Sequence, residues 1–259
     1  MSRIGFVWLN IIGYVGVLIV NFLANALPIA GRDTGEISEM YPVLVTPASY
    51  AFSIWSLIYL LLGGFVILQA LPRWRNDPRF EAIGPWFFIS CVLNSSWIVF
   101  WHYLQINISV LIMLALLGTL IILYLKTRSN TSLWFQAKED KRDTLPAFLF
   151  IKLPFSIYLG WISVATIVNI SVALYAADWG GWGLSDTFWS VAVLLVAALL
   201  ALWIGHAYND QAYRLVVIWA LIAIGIKQVD HSAIAWSAWG LASILLIAIL
   251  ASIISKSRR

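Results

Sequence analysis

Eight apolar runs, each long enough to form a membrane-crossing helix, occupy most of this chain and leave no room for a water-soluble domain. They lie at about residues 4–27, 49–71, 85–104, 108–126, 145–176, 187–207, 213–229 and 232–255. In hydrocarbon every backbone N–H and C=O must find its partner within the protein, so only helices and closed barrels can span. The runs are continuous, not alternating segments of about ten residues, which selects helices over barrel strands. Composition agrees: 62% of residues are hydrophobic and 11% are charged, against about 25% charged in an ordinary soluble domain. The expected fold class is therefore all-α, a polytopic membrane helical bundle of about eight transmembrane helices. The single cysteine, Cys91, falls inside a run, forms no intrachain disulfide, and reads as a small buried hydrophobe.

The first run carries the small-residue pattern Ala24-Asn25-Ala26 before Pro28, as a cleavable leader would, but it exceeds the 7–15 apolar residues usual for one. It is read as a retained helix. The net charge of +4 is sorted by loop and reports topology, not a nucleic-acid partner. With eight spans and the N-terminus inside, 13 of the 16 Lys and Arg residues fall on the cytoplasmic side, among them Arg73, Arg75, Arg79, Lys138, Arg214, Arg258 and Arg259. Both termini are thus expected in the cytoplasm, in a membrane of the bacterial inner-membrane type. The acidic segment 29–48 then lies outside, as a solvated linker or a lid.

Polar and aromatic side chains inside the runs form faces. Asn10, Tyr14, Asn21 and Asn25 fall within about 60° on the first helix, as do Asn94, Trp97 and Trp101 on the third. On the fifth, Tyr158, Trp161, Ala165 and Asn169 lie within about 80°. Such faces turn toward protein, either as interhelical hydrogen bonds or as the wall of a ligand pocket. The fifth run is about 32 residues long, more than the roughly 20 needed to cross, so it must tilt, kink at Pro154 or project. Asp178-Trp-Gly-Gly-Trp-Gly-Leu-Ser-Asp186 after it reads as an interfacial turn with belt tryptophans. Gly63-Gly64 and Gly180-Gly181 permit close contacts, compatible with a homodimer without specifying one.

Three pieces of sequence resemble the TspO, or translocator protein, family: Trp55-Ser-Leu-Ile-Tyr59 with Gly63, Leu93-Asn94-Ser-Ser-Trp97 with Phe100, and Tyr158-Leu-Gly-Trp161 with Ala165 and Asn169. The resemblance implies a five-helix core at residues 1–176, leaving 177–259 as a three-helix transmembrane extension. It implies binding of a tetrapyrrole, sterol or similar ligand, with Asn94, Trp97, Trp161, Ala165 and Asn169 at pocket positions and Trp55, Tyr59 and Tyr158 beside them. The chain departs from the family pattern at the entry to the second helix, where Tyr50 replaces a tryptophan, and at Pro154, displaced toward the N-terminus.

The expected function is a membrane sensor or carrier for an apolar or aromatic small molecule. The alternative is an eight-helix secondary transporter, for which intramembrane ionisable residues would be the signature. Lys152, His102, His206 and Lys227 all lie near span ends. No metal-ligand spacing, phosphate loop or nucleophile elbow marks an enzyme. No resident cofactor or metal is expected, a tetrapyrrole or lipid being a ligand, and the bilayer and that small molecule are the expected partners. A retinal Schiff base at Lys227 would need a deeper lysine than one beside Gln228 and Asp230.

Overall fold

The computed structural model describes residues 3–26, 29–74, 77–128 and 141–257. Pro28, Arg75, the charged segment around Lys138, and Arg258 and Arg259, all used in reading the sequence, lie outside these. Every regular element among the described residues is helical. In chain order they are α1 (Arg3–Ala26), α2 (Thr34–Glu39), α3 (Ile54–Ala70), α4 (Pro78–Ile83), α5 (Trp86–His102), α6 (Ile106–Arg128), α7 (Lys141–Ala147), α8 (Leu153–Ala176), α9 (Asp186–Ala207), α10 (Gln211–Lys227) and α11 (Ser232–Ser257).

The eight long helices α1, α3, α5, α6, α8, α9, α10 and α11 correspond to the eight apolar runs. Among the described residues, six helical stretches are long and apolar enough to cross a membrane. The other two, α5 and α10, have 17 residues each, at the short end of the range that crosses. Large apolar side chains also point outward, with Leu60 at 72%, Ile67 at 65% and Leu111 at 67% exposure. Apolar surface on this scale suits lipid, not water. The fold class is that expected, a polytopic all-α membrane protein.

Two compact units make up the chain. The first comprises Met1–Thr34 and Ile54–Leu159, the second Gly35–Ser53 and Gly160–Arg259. The boundary falls inside α8, after its second turn.

In the first unit α1 packs on α3 and α5, and α5 on α6. Its core holds an aromatic cluster in which Phe65 meets Phe87 at 4.9 Å, Phe155 at 5.3 Å and Phe80 at 5.5 Å between ring centroids. The two glycines of α3 are sites of close approach. The Tyr14 hydroxyl stands 2.6 Å from where a Gly63 Cβ would be, and the Phe150 ring fills the corresponding position at Gly64. Because Gly63 has no Cβ, the Tyr14 hydroxyl reaches the backbone of α3 and donates to the Tyr59 carbonyl at 2.9 Å.

The long fifth run resolves into α7, a π-helical turn at Phe148–Lys152, and α8. The helix runs unbroken through all three, so Pro154, which has no N–H, leaves a bond missing from its ladder. The backbone thus widens just before the proline, which supplies the irregularity expected there.

In the second unit α10 packs on α9 and α11, and α9 on α11. Segment 35–53 belongs to this unit and is no solvated linker: Ile37, Ser38, Val45, Thr46 and Ala51 are buried. Its anchors include Ala48 N–H donating to the Ala223 carbonyl at 3.1 Å and Trp219 Nε1 donating to the Ala51 carbonyl at 3.1 Å. Arg214, counted from the sequence as a cytoplasmic charge, is buried here. Its guanidinium donates to the carbonyls of Ala201 and Leu202 and to Gln211 Oε1, reaching α9 where Gly205 has no side chain to block it.

Candidate functional site

Five of the eight residues singled out from the sequence belong to the first unit, where two of them, Tyr59 and Tyr158, bond to the carboxamide of a third, Asn94. Asn94, on α5, is fully buried. Its Oδ1 accepts from Asn21 Nδ2 at 3.1 Å and from the Tyr59 hydroxyl at 3.4 Å, while its Nδ2 donates to the Tyr158 hydroxyl at 2.9 Å. Four helices, α1, α3, α5 and α8, thus meet through one side chain. A carboxamide suits this junction because it both donates and accepts, so no group must be charged to satisfy the others.

Aromatic rings flank the junction. Trp55 stacks on Tyr59 at 5.4 Å and 17°, both being partly exposed, and Trp55 meets Tyr158 edge-on at 5.7 Å. Along α5, Trp97 stacks on Trp101 at 5.6 Å and 21°, both buried, and Trp101 Nε1 donates to the Thr34 carbonyl at 3.3 Å. The periodicity explains the arrangement: residues four apart on a helix lie one above the other, so each Trp-x-x-x-Tyr or Trp-x-x-x-Trp pair becomes a stack. The α1 stripe also faces protein for three of its four members. Asn10 Nδ2 donates to Gln69 Oε1 at 3.1 Å, Tyr14 and Asn21 bond as described, and exposed Asn25 donates to the Asn21 carbonyl of its own helix.

Trp161, Ala165 and Asn169 lie beyond the unit boundary and are described with the second unit. Trp161 is buried with its ring edge-on to Phe52 at 5.8 Å; Asn169 is buried and Ala165 partly so. Two residues of this unit that no sequence face had marked join α8 to α10: the Tyr213 hydroxyl donates to Ser163 Oγ at 2.9 Å. Lys227 ends α10 in an ion pair with Glu39 at 3.3 Å, a surface arrangement far from that of a buried Schiff base.

The second unit also contains a cavity of about 690 Å³ that none of the eight residues lines. It falls within the roughly 300–1,000 Å³ of small-molecule sites. Tyr175, Trp179, Trp182 and Trp189 supply aromatic walls, and Asp178 and Asp186 its carboxylates. These tryptophans read from the sequence as an interfacial belt. The signal that could have separated a site from a belt was the pair of aspartates bracketing the Trp-Gly-Gly-Trp turn. Among the described residues no cluster of His, Cys, Asp and Glu could hold a metal ion.

No curated protein and no solved structure matches the chain. A family model does, described as TSPO-like protein, and it covers residues 7–251, including α3, α5 and α8 with their aromatic pairs and the helices that follow. By that match over nearly its whole length, the chain belongs to the TSPO-like protein family.

Proposed function

We propose that this TSPO-like protein is a membrane sensor or carrier that binds an apolar or aromatic small molecule of the tetrapyrrole or sterol type through Trp55, Tyr59, Asn94, Trp97 and Tyr158. One observation carries the reading. The Trp55–Tyr59 stack is partly exposed and is tied through the Tyr59 hydroxyl to a buried carboxamide. Stacked rings offer a flat apolar surface for a conjugated ligand, and the buried carboxamide holds the Tyr59 and Tyr158 rings in place through their hydroxyls. On the charge distribution of the loops, the termini face the cytoplasm.

A tetrapyrrole titration of the purified protein, followed by the ligand's absorption band, tests this. Saturable binding is expected, weakened at least tenfold by Trp55→Ala and by Tyr59→Leu. Saturable binding with unchanged affinity in both variants would remove these residues from the site, and no saturable binding of a tetrapyrrole or a sterol would remove the function.

A further inference from the structure

The cavity of the second unit has the chemistry of a cation site. Trp179, Trp182 and Trp189 approach one another at 5.3, 5.5 and 5.6 Å between centroids, with interplanar angles of 56°, 78° and 72°. Rings this steep to one another form a corner and not a stack, so their faces turn in different directions around a common space. The ring face is the negative side of an indole and attracts a weakly hydrated cation within about 6 Å of its centre. Tyr175 adds a fourth aromatic residue to the lining.

Charge has the same sign. Asp178 and Asp186 line the cavity, and among the described residues no Lys, Arg or His does. Tyr175 and Leu174 belong to the last turn of α8, whose carbonyl end carries the negative pole of the helix. At the start of α9 the opposing positive pole is met by Asp186 in the first turn and by the Ser185 cap, which accepts from the Phe188 N–H at 3.2 Å.

The corner is also held in place. Trp189 Nε1 donates to the Gly181 carbonyl at 2.9 Å, fixing one ring on the turn that carries another. Trp182 has φ 53° and is 81% exposed. A bulky residue rarely adopts a left-handed conformation, so the turn holds this indole against its own backbone preference and against water.

We propose that this cavity binds a quaternary or tertiary ammonium group, whether carried by a lipid headgroup or by a free organic cation, with the Trp179, Trp182 and Trp189 rings as its cage and Asp178 and Asp186 as its counter-charges. The indole faces favour a soft, poorly hydrated occupant, since they cannot themselves replace the water that a metal ion or a primary ammonium retains. The site is independent of the first-unit residues assigned to the apolar ligand.

The test is calorimetric titration with phenyltrimethylammonium on the full-length protein in nanodiscs of phosphatidylglycerol and, separately, of phosphatidylcholine. Saturable binding in phosphatidylglycerol is expected, at least tenfold weaker in Trp182→Ala and in Asp178→Asn, both at exposed positions. The uncharged isostere with a tert-butyl group in place of trimethylammonium should not compete. Loss of probe binding in phosphatidylcholine identifies a lipid headgroup as occupant; equal binding in both discs identifies a free cation. No saturable binding in phosphatidylglycerol, equal competition by the neutral isostere, or unchanged affinity in both variants would overturn the proposal. Tetrapyrrole titration of the same Trp182→Ala protein separates this result from the apolar-ligand reading, which predicts no change there.

Discussion

In the first unit a carboxamide and two phenols within the spanning helices direct their hydrogen bonds at one another, whereas in the second unit two carboxylates and three indoles line open space. Asn94 is satisfied on both its donor and its acceptor side by Asn21, Tyr59 and Tyr158. Asp178 and Asp186 face a cavity of about 690 Å³. The difference teaches where polarity can be afforded in a membrane protein. Inside the bundle a polar group must be neutral and closed upon its neighbours, while near a helix end it can stay charged and open. The first arrangement holds helices together and offers its aromatic flank; the second offers the polar groups themselves.

The sharpest way to break this contrast is Asn94→Leu. It leaves Asn21, Tyr59 and Tyr158 without their shared partner, and a loss of about 2–4 kcal/mol is expected in steric-trapping or thermal-denaturation measurements. A loss below about 0.5 kcal/mol would mean that the junction is not structural. Next is Gly64→Ala, which places a methyl group where the Phe150 ring sits. Overpacking there should cost about 1–3 kcal/mol, relieved in part by Phe150→Leu in a double-mutant cycle. Tyr14→Phe removes one interhelical hydrogen bond at an expected cost of about 0.6 kcal/mol. Gly63→Ala should already displace that hydroxyl, so the two changes should add to less than their sum. The smallest effect belongs to the open site: Trp182→Phe, at an exposed position, should change stability by less than about 0.5 kcal/mol. A larger loss would make the tryptophan corner a structural plug.

The spans were legible because an uninterrupted apolar run can do little else in a bilayer, and the faces of α1, α5 and α8 were legible because helical spacing fixes which side chains align. That Asn94 would meet Asn21, Tyr59 and Tyr158 required knowing which helices are neighbours, and spacing within one helix carries no such information. The burial of Arg214 was hidden for a related reason. At a span end it counts as a loop charge, yet Gly205 on another helix lets it lie buried against backbone carbonyls. Segment 29–48 looked solvated because its charges are conspicuous, while the residues buried in it, among them Ile37-Ser38 and Val45-Thr46, come only in short groups. The cavity was hidden by composition, since tryptophans beside glycines at a span end describe a lipid-facing belt equally well.

Photolabelling addresses the central claim most directly. A tetrapyrrole carrying a diazirine, irradiated with the native protein and mapped by mass spectrometry, should label peptides containing Trp55, Tyr59, Asn94, Trp97 or Tyr158, and excess unmodified ligand should abolish the label. Saturable label confined to other segments, or label that excess ligand leaves unchanged, would contradict the account.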